Sequence, residues 1–395
     1  VTPIIAGHWE AAEEELSRWA DSVATYLPDG RAPRTGQIYS NPNLAKSYRT
    51  LADEGPDAFY EGSIAQQIIQ FSEANSGFFS AADFVDHQSQ WIDPVSTEYR
   101  GFEIWELPPN GQGIAALQIL NLLEDYDLAG LGAENPEYLH LLIEAKKLAF
   151  ADRARFYADP DAVDVPVEQL ISKQYAARRR NLIDPTMAAI NVPHGDPKLA
   201  TGDTIYLSVV DKQRNCCSLI QSNFHGFGSM VVPGDVGFAL QNRGALFALD
   251  DEHPNRLAPH KRPFHTIIPA MAMKDSKPWL CFGVMGGDMQ PQGHVQILIN
   301  MIDFGMNVQQ AGEAPRVRHM GSASPTGIPA EQEGGKVYLE PGFAQDVIEC
   351  LIRKGHHAET KNTGFGGYQA VMIDHEQGSL HGGSDPRKDG CAMGY

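Results

Sequence analysis

At 395 residues with 42% hydrophobic side chains, the chain has material for one large domain or two ordinary ones. Its 50 acidic and 31 basic side chains give a formal net charge of -19, with no Lys/Arg-rich run to track a phosphate backbone, which argues against a nucleic-acid partner. The longest apolar run, Ile114 to Leu123, is broken by Gln118 and Asn121 and is too short to cross a bilayer, so no membrane partner is expected either.

Five cysteines, with Cys216 and Cys217 adjacent, form neither an even disulfide framework nor a CxxC pattern, and reduced thiols packed as small apolar residues are expected. The chain begins at Val1 with no signal segment or lipidation motif. Its compartment, cytoplasm or periplasm, is therefore not legible, since any targeting segment lies outside the given chain.

From Asn41 to about Tyr157 the pattern reads as largely helical. Its clearest helix takes Asn135 as cap and Pro136 in the first turn, with Tyr138, Leu141, Leu142, Ala145, Leu148 and Ala149 on one buried face. Asp159 to Pro166 reads as a loop, and Gly195 to Gly202 as an exposed connector that ends at Asp203. Ile205–Val210, a turn at Asp211–Asn215 and Cys216–Ser222 make a first hairpin; Thr266–Met273 and Trp279–Val284 make a second. A helix is expected over Pro291–Phe304, stopped by Gly305, and another over Phe343–Lys354, ended by Gly355. A last hairpin joins Gln369–Ile373 to Leu380–Gly383. This order predicts a layered α+β sandwich.

Thr204 stands where the connector enters a strand. A threonine there can attack the Asp203 carbonyl, convert the peptide bond to an ester and release a terminus with both a hydroxyl and an amine. On spacing alone the residue reads as a β-former. Gly286-Gly287 can present bare amides to an oxyanion or form a plain strand-to-helix turn. His253, His260, His265 and His294 suggest a metal but lack ligand spacing, and Arg243 can receive a substrate carboxylate or make a structural ion pair.

Together, Thr204 with Ser208-Val209-Val210-Asp211, Asn215, Lys261-Arg262-Pro263, Gly286-Gly287, Asp303-Phe304-Gly305-Met306-Asn307, Ala314-Pro315-Arg316 and Ser384-Asp385-Pro386-Arg387 resemble the γ-glutamyltranspeptidase family in order and spacing. Upstream, Asn41-Pro42-Asn43-Leu44-Ala45, Gly55-Pro56-Asp57-Ala58-Phe59-Tyr60, Pro108-Pro109, Glu144-Ala145 and Ala151-Asp152-Arg153 look like its large-chain landmarks. The resemblance implies the four-layer αββα sandwich of N-terminal-nucleophile hydrolases, with a large chain, 1–203, and a small chain, 204–395, cut from one precursor and forming one structural unit. It implies Thr204 as nucleophile and α-amino base, Ser222 as the hydroxyl that positions it, and Gly286 and Gly287 as oxyanion amides. It requires no metal or organic cofactor, and it leaves a homo-oligomer open.

Departures from the family pattern bear on the small-molecule amide substrate. The expected sequence is Asn-Gln followed by an acid that grips the glutamyl ammonium; here Asn242-Arg243 is followed by Leu246 at the acid's place. His265 and Thr266 replace two carboxylate-binding serines, and Asp288 follows the glycine pair where serine is usual. Asn242, Arg243, His265, Thr266 and Asp288 are thus the expected substrate-binding set. A shorter loop between Phe247 and Lys261 favours hydrolysis over transfer. The resemblance implies γ-glutamyl amides such as glutathione as substrates. Amides that carry a carboxylate without an α-amino group, of the oxamate or glutaryl cephalosporin type, fit the altered positions at least as well. Family large chains also begin well upstream of Val1 and carry a carboxylate-binding arginine there, so an uncut, inert fragment is the third expectation.

Overall fold

A computed structural model describes residues 1–190, 192 and 203–395. The expected connector Gly195–Gly202 lies outside the described residues. The chain divides into two compact units, 1–92 with 223–242 and 93–222 with 243–395.

In the first unit the N-terminal helices fold around the distant segment 223–242. Trp9, Ala12, Leu16 and Leu27 pack with Phe227 and Met230, while Ile64 and Ile68 pack with Val232, Val236 and Ala239. Asn41 links this packing to its own helix. Its Oδ1 caps Pro42–Glu54 by accepting from Leu44 N (2.8 Å), and its Nδ2 donates to Gly237 O (2.7 Å). Gly237 is required there, because at φ 81° an added Cβ would lie 2.1 Å from Leu44 N.

The second unit is built on a six-stranded antiparallel sheet. Its strands are β1 (Val95–Tyr99), β2 (Phe102–Glu106), β5 (Ala270–Lys274), β6 (Lys277–Met285), β10 (Gly367–Asp374) and β11 (Ser379–Ser384), in the order β1-β2-β5-β6-β10-β11. A separate hairpin pairs β3 (Asp203–Val210) with β4 (Cys216–Phe224), and β7 (Val317–Met320), β8 (Lys336–Leu339) and β9 (His357–Thr360) form a third sheet. Three buried helices complete the frame: α1 (Gly113–Leu123), α2 (Pro136–Phe156) and α3 (Met289–Ile302).

Two adjacent residues of β6 fix the layering. A Cβ on Gly293 of α3 would meet the Val284 side chain at 2.6 Å, and a Cβ on Gly283 would meet the Tyr206 ring of β3 at 2.5 Å. Neighbouring residues of a strand point to opposite faces, so α3 covers one face of the sheet and the β3–β4 hairpin the other. Helix, sheet and sheet stack in the order of the αββα N-terminal-nucleophile hydrolase sandwich. The closing motifs knit its end: buried Arg316 donates to Asp385 (2.7 Å), which also accepts from Tyr368 N (2.8 Å), and Arg387 pairs with Glu340.

Several expectations are corrected. The segment read as largely helical contains the β1–β2 hairpin. Helix α2, capped by Asn135 as expected, buries every residue from Tyr138 to Ala154 rather than one face, because it lies in the interior with its charged groups paired or hydrogen-bonded. β5 begins at Ala270, not Thr266. All five cysteines are free, but Cys281 alone is buried, while Cys217 and Cys391 are exposed.

Candidate active site

The β3–β4 turn sets the register that brings Thr204 to Ser222. Asp211 N donates to Asn215 O (3.1 Å), and both Asp211 carboxylate oxygens accept from Asn215. Counting outward from that closed pair places 204 opposite 222, and the two hydroxyls lie 3.3 Å apart. Thr204 shares its face of β3 with Tyr206, whose ring lies on Gly283 and whose hydroxyl bonds Ser218 (2.8 Å). The nucleophile candidate is thus buried against the strand that ends just before Gly286.

Gly286 (φ 124°) and Gly287 (φ 59°) turn the chain from β6 into α3. Their carbonyls accept from Met289 N (3.0 Å) and Gln290 N (3.1 Å). Across a trans peptide the N–H points opposite to the preceding carbonyl, so the Gly287 amide is directed away from the helix. Among the described residues neither glycine amide donates a hydrogen bond. The turn is braced from behind by Gln112, whose Nε2 donates to Gly287 O (2.9 Å) and Thr266 O (2.8 Å). Arg153 in turn donates to Gln112 Oε1 (2.5 Å) and grips both oxygens of Asp288 (2.6 and 3.1 Å).

The remaining expected substrate residues divide between the two units. Asn242 lies in the first, where its Nδ2 meets His225 Nδ1 (3.0 Å). In the second, His265 is tied through its backbone N–H to Asn110 O (3.1 Å), and Asn110 Nδ2 donates to Pro263 O (2.7 Å). Burial, helped by the positive charge of Arg243, pushes the His265 pKa down to about 4, so the imidazole is neutral at pH 7. Burial lowers Arg243 to about 10, which leaves it charged. Leu246, at the place of the family's acid, is 1% exposed.

The loop beyond it is clasped rather than free. Fully buried Asn255 donates to Leu246 O (2.7 Å) and Pro325 O (2.8 Å) and accepts from Phe264 N (2.9 Å). Arg155, Asp164, His253, Arg256 and Lys261 line a cavity of about 530 Å³ on its flank.

The expected histidine cluster is dispersed. His294 is fully buried, with Nδ1 on Glu106 (2.7 Å) and Nε2 accepting from Val284 N (3.1 Å). His253 accepts from Asn255 N (3.0 Å), and His260 is exposed. Among the described residues the group with metal-compatible spacing is instead His140, Glu144 and His356, whose ligand atoms lie within 4.8 Å. Those atoms already bond one another, Asp184 O, Lys147 and Ala189 N. Gln112 and Arg153 escaped sequence reasoning as site residues. Arg153 lies in a recognised landmark, but its partners are 41 and 135 residues away.

The sequence profile described as Gamma-glutamyltranspeptidase matches residues 1–395. Among curated relatives, the chain is 37% identical to the glutathione hydrolase-like YwrD proenzyme of Bacillus subtilis, covering 99% of this chain and 73% of that one. It is 34% identical to the oxamate amidohydrolase proenzyme of Klebsiella pneumoniae, covering 97% and 70%. The structure matches that of a cephalosporin acylase from Bacillus halodurans with a TM-score of 0.90 and 38% identity, over 100% of this chain and 72% of that one. No helix among the described residues is long and apolar enough to cross a membrane. With the profile matched end to end and the helix–sheet–sheet frame in place, the chain belongs to the γ-glutamyltranspeptidase family and is an enzyme of the N-terminal-nucleophile hydrolase type.

Proposed function

We propose that the protein is an autoprocessed amidase, cut between Asp203 and Thr204, that hydrolyses amides whose acyl group carries a carboxylate but no α-amino group. The observation that carries this reading is the charge at the expected substrate-binding positions. Arg243 is cationic, His265 is neutral, Leu246 is apolar and buried, and the carboxylate of Asp288 is taken by Arg153. Such a set attracts a carboxylate and offers no counter-ion to an ammonium, whose unpaired burial costs about 1–3 kcal/mol or more. The likeness to an oxamate amidohydrolase and a cephalosporin acylase supports the same class. Hydrolysis of γ-glutamyl groups from glutathione is the second reading, favoured by the likeness to a glutathione hydrolase-like protein.

In the cut form Thr204 Oγ attacks the substrate carbonyl while the new α-amine, with a pKa of roughly 8, takes its proton. Ser222 holds the oxygen for attack. The Gly286 and Gly287 amides stabilise the oxyanion, the C–N bond breaks, and the proton passes to the leaving amine. Water, activated by the same amine, then cleaves the Thr204 ester and releases the acid. A 247–261 loop shorter than the family's lid favours hydrolysis over transfer to an acceptor amine. Turnover of matched γ-glutamyl, glutaryl and oxamate amides tests the proposal. Higher kcat/KM for the glutaryl or oxamate member is expected; a preference for the γ-glutamyl amide would overturn it.

A further inference from the structure

An aspartate directly after the oxyanion glycines is a physical problem. A carboxylate there repels the negative charge that develops on the substrate oxygen, and in a dehydrated site that repulsion is weakly screened. The structure carries an answer that the proposed mechanism does not use. Arg153 is fully buried, and its fork holds both Asp288 oxygens at 2.6 and 3.1 Å while one nitrogen also reaches Gln112 Oε1 at 2.5 Å. Its guanidinium stacks on Phe150, 3.8 Å from the ring centroid, and donates to Ala323 O (3.3 Å), so its position is fixed from several sides. Gln112, also fully buried, passes that constraint to the Gly287 and Thr266 carbonyls at 2.9 and 2.8 Å.

We infer that Arg153 is a positioning residue for the oxyanion turn: it cancels the charge of Asp288 beside the developing oxyanion and, through Gln112, holds the Gly287–Asp288 peptide on which the two glycine amides are mounted. The inference rests on the proposed roles of Thr204, Gly286 and Gly287. A bidentate pair in this geometry places a neutral unit where the family usually has a serine hydroxyl, and it makes Arg153 and Asp288 a dependent pair. Gln112 is placed to sense any change in either, since it touches Arg153 on one side and the glycine turn on the other.

The test is a mutant cycle of Arg153→Met, Asp288→Ser and the double variant, with Thr204→Ala alongside. For each, kcat and KM on a glutaryl amide, the extent of chain breakage and the melting temperature are measured. Arg153→Met should lose roughly 10²-fold in kcat with KM within about 3-fold, the pattern of an interaction made in the transition state. The double variant, with both charges removed, should recover at least about 10-fold of that loss. A double variant no faster than Arg153→Met, or a loss confined to KM, overturns the inference. Should Arg153→Met not fold, the double variant alone decides: kcat within about 10-fold of wild type is expected, and a loss beyond about 10³-fold contradicts the charge-cancelling role. If Thr204→Ala keeps full turnover, the parent mechanism fails instead, so the two failures are told apart.

Discussion

Acidification from pH 7 to pH 5 should destabilise the second unit strongly, because its buried histidines are held neutral. Burial brings His294 to about 3 and His356 to about 2, and His319, which also faces Lys146, lies well below the usual imidazole range. Each accepts or donates in a way that fixes its neutral form; His294, for example, accepts from Val284 N (3.1 Å). In the unfolded chain the same side chains titrate near 6.5. A group whose folded pKa is depressed below its unfolded value is protonated preferentially when unfolded, so stability is full above about pH 6.5 and falls as pH drops toward the folded value. At pH 5 the loss is about 2 kcal/mol per histidine, or about 8 kcal/mol for these three with His265, which burial brings to about 4. Glu106, whose burial raises its pKa, works in the opposite sense and returns part of it. A net loss of several kcal/mol is a large share of the 5–15 kcal/mol typical of a folded domain. Calorimetry at the two pH values should show the second unit melting on the order of 10 °C lower at pH 5. His294→Gln, which offers an acceptor to Val284 N and a donor to Glu106 without titrating, should flatten the slope by about a quarter. A melting temperature that does not change between pH 7 and pH 5 would refute the reasoning.

Three further outcomes follow from the geometry. Gly283→Ala drives a methyl into the Tyr206 ring, 2.5 Å away, so the stacked sheets must part; a loss of about 1–3 kcal/mol is expected in denaturant melts, together with reduced chain breakage. Ser222→Ala removes the hydroxyl 3.3 Å from Thr204, and kcat should fall by roughly 10-fold with the melting temperature nearly unchanged, since the bond is long. Asn255→Ala strips the clasp from Leu246 O, Pro325 O and Phe264 N, and a loss of roughly 2–4 kcal/mol with faster proteolysis of the 247–261 loop is expected.

What the sequence disclosed was local chemistry. Asn135 before Pro136 marked the start of α2, Gly305 marked a stop, and the turn at Asp211–Asn215 gave a hairpin whose register places Thr204 and Ser222 together. The β1–β2 hairpin was missed although Val95, Thr97 and Tyr99 alternate, because its neighbours on both sides are helical and its turn at Arg100-Gly101 is a weak signal. In sequence, α2 shows one apolar face because Glu144, Lys147, Asp152 and Arg153 are charged. Glu144 and Lys147 pair with each other along the helix, while Asp152 and Arg153 find Arg179 and Asp288 outside it, and the pairing allows all four to be buried. The same reason hid the brace behind the glycine turn: nothing near Gln112 in sequence announces Gly287 or Thr266. The family resemblance pointed to the fold and to Arg243 and Leu246 as departures in the substrate set, while the neutral state of His265 and the pairing of Asp288 with Arg153 depend on burial and on distant partners.

The measurement that bears most directly on the central claim is the intact mass of the purified protein under denaturing conditions. The account predicts two species whose masses sum to the chain plus one water, with the break after Asp203 and Thr204 as the new terminus. An uncut chain that still hydrolyses an amide at full rate, or a break elsewhere in a fully active protein, would contradict it.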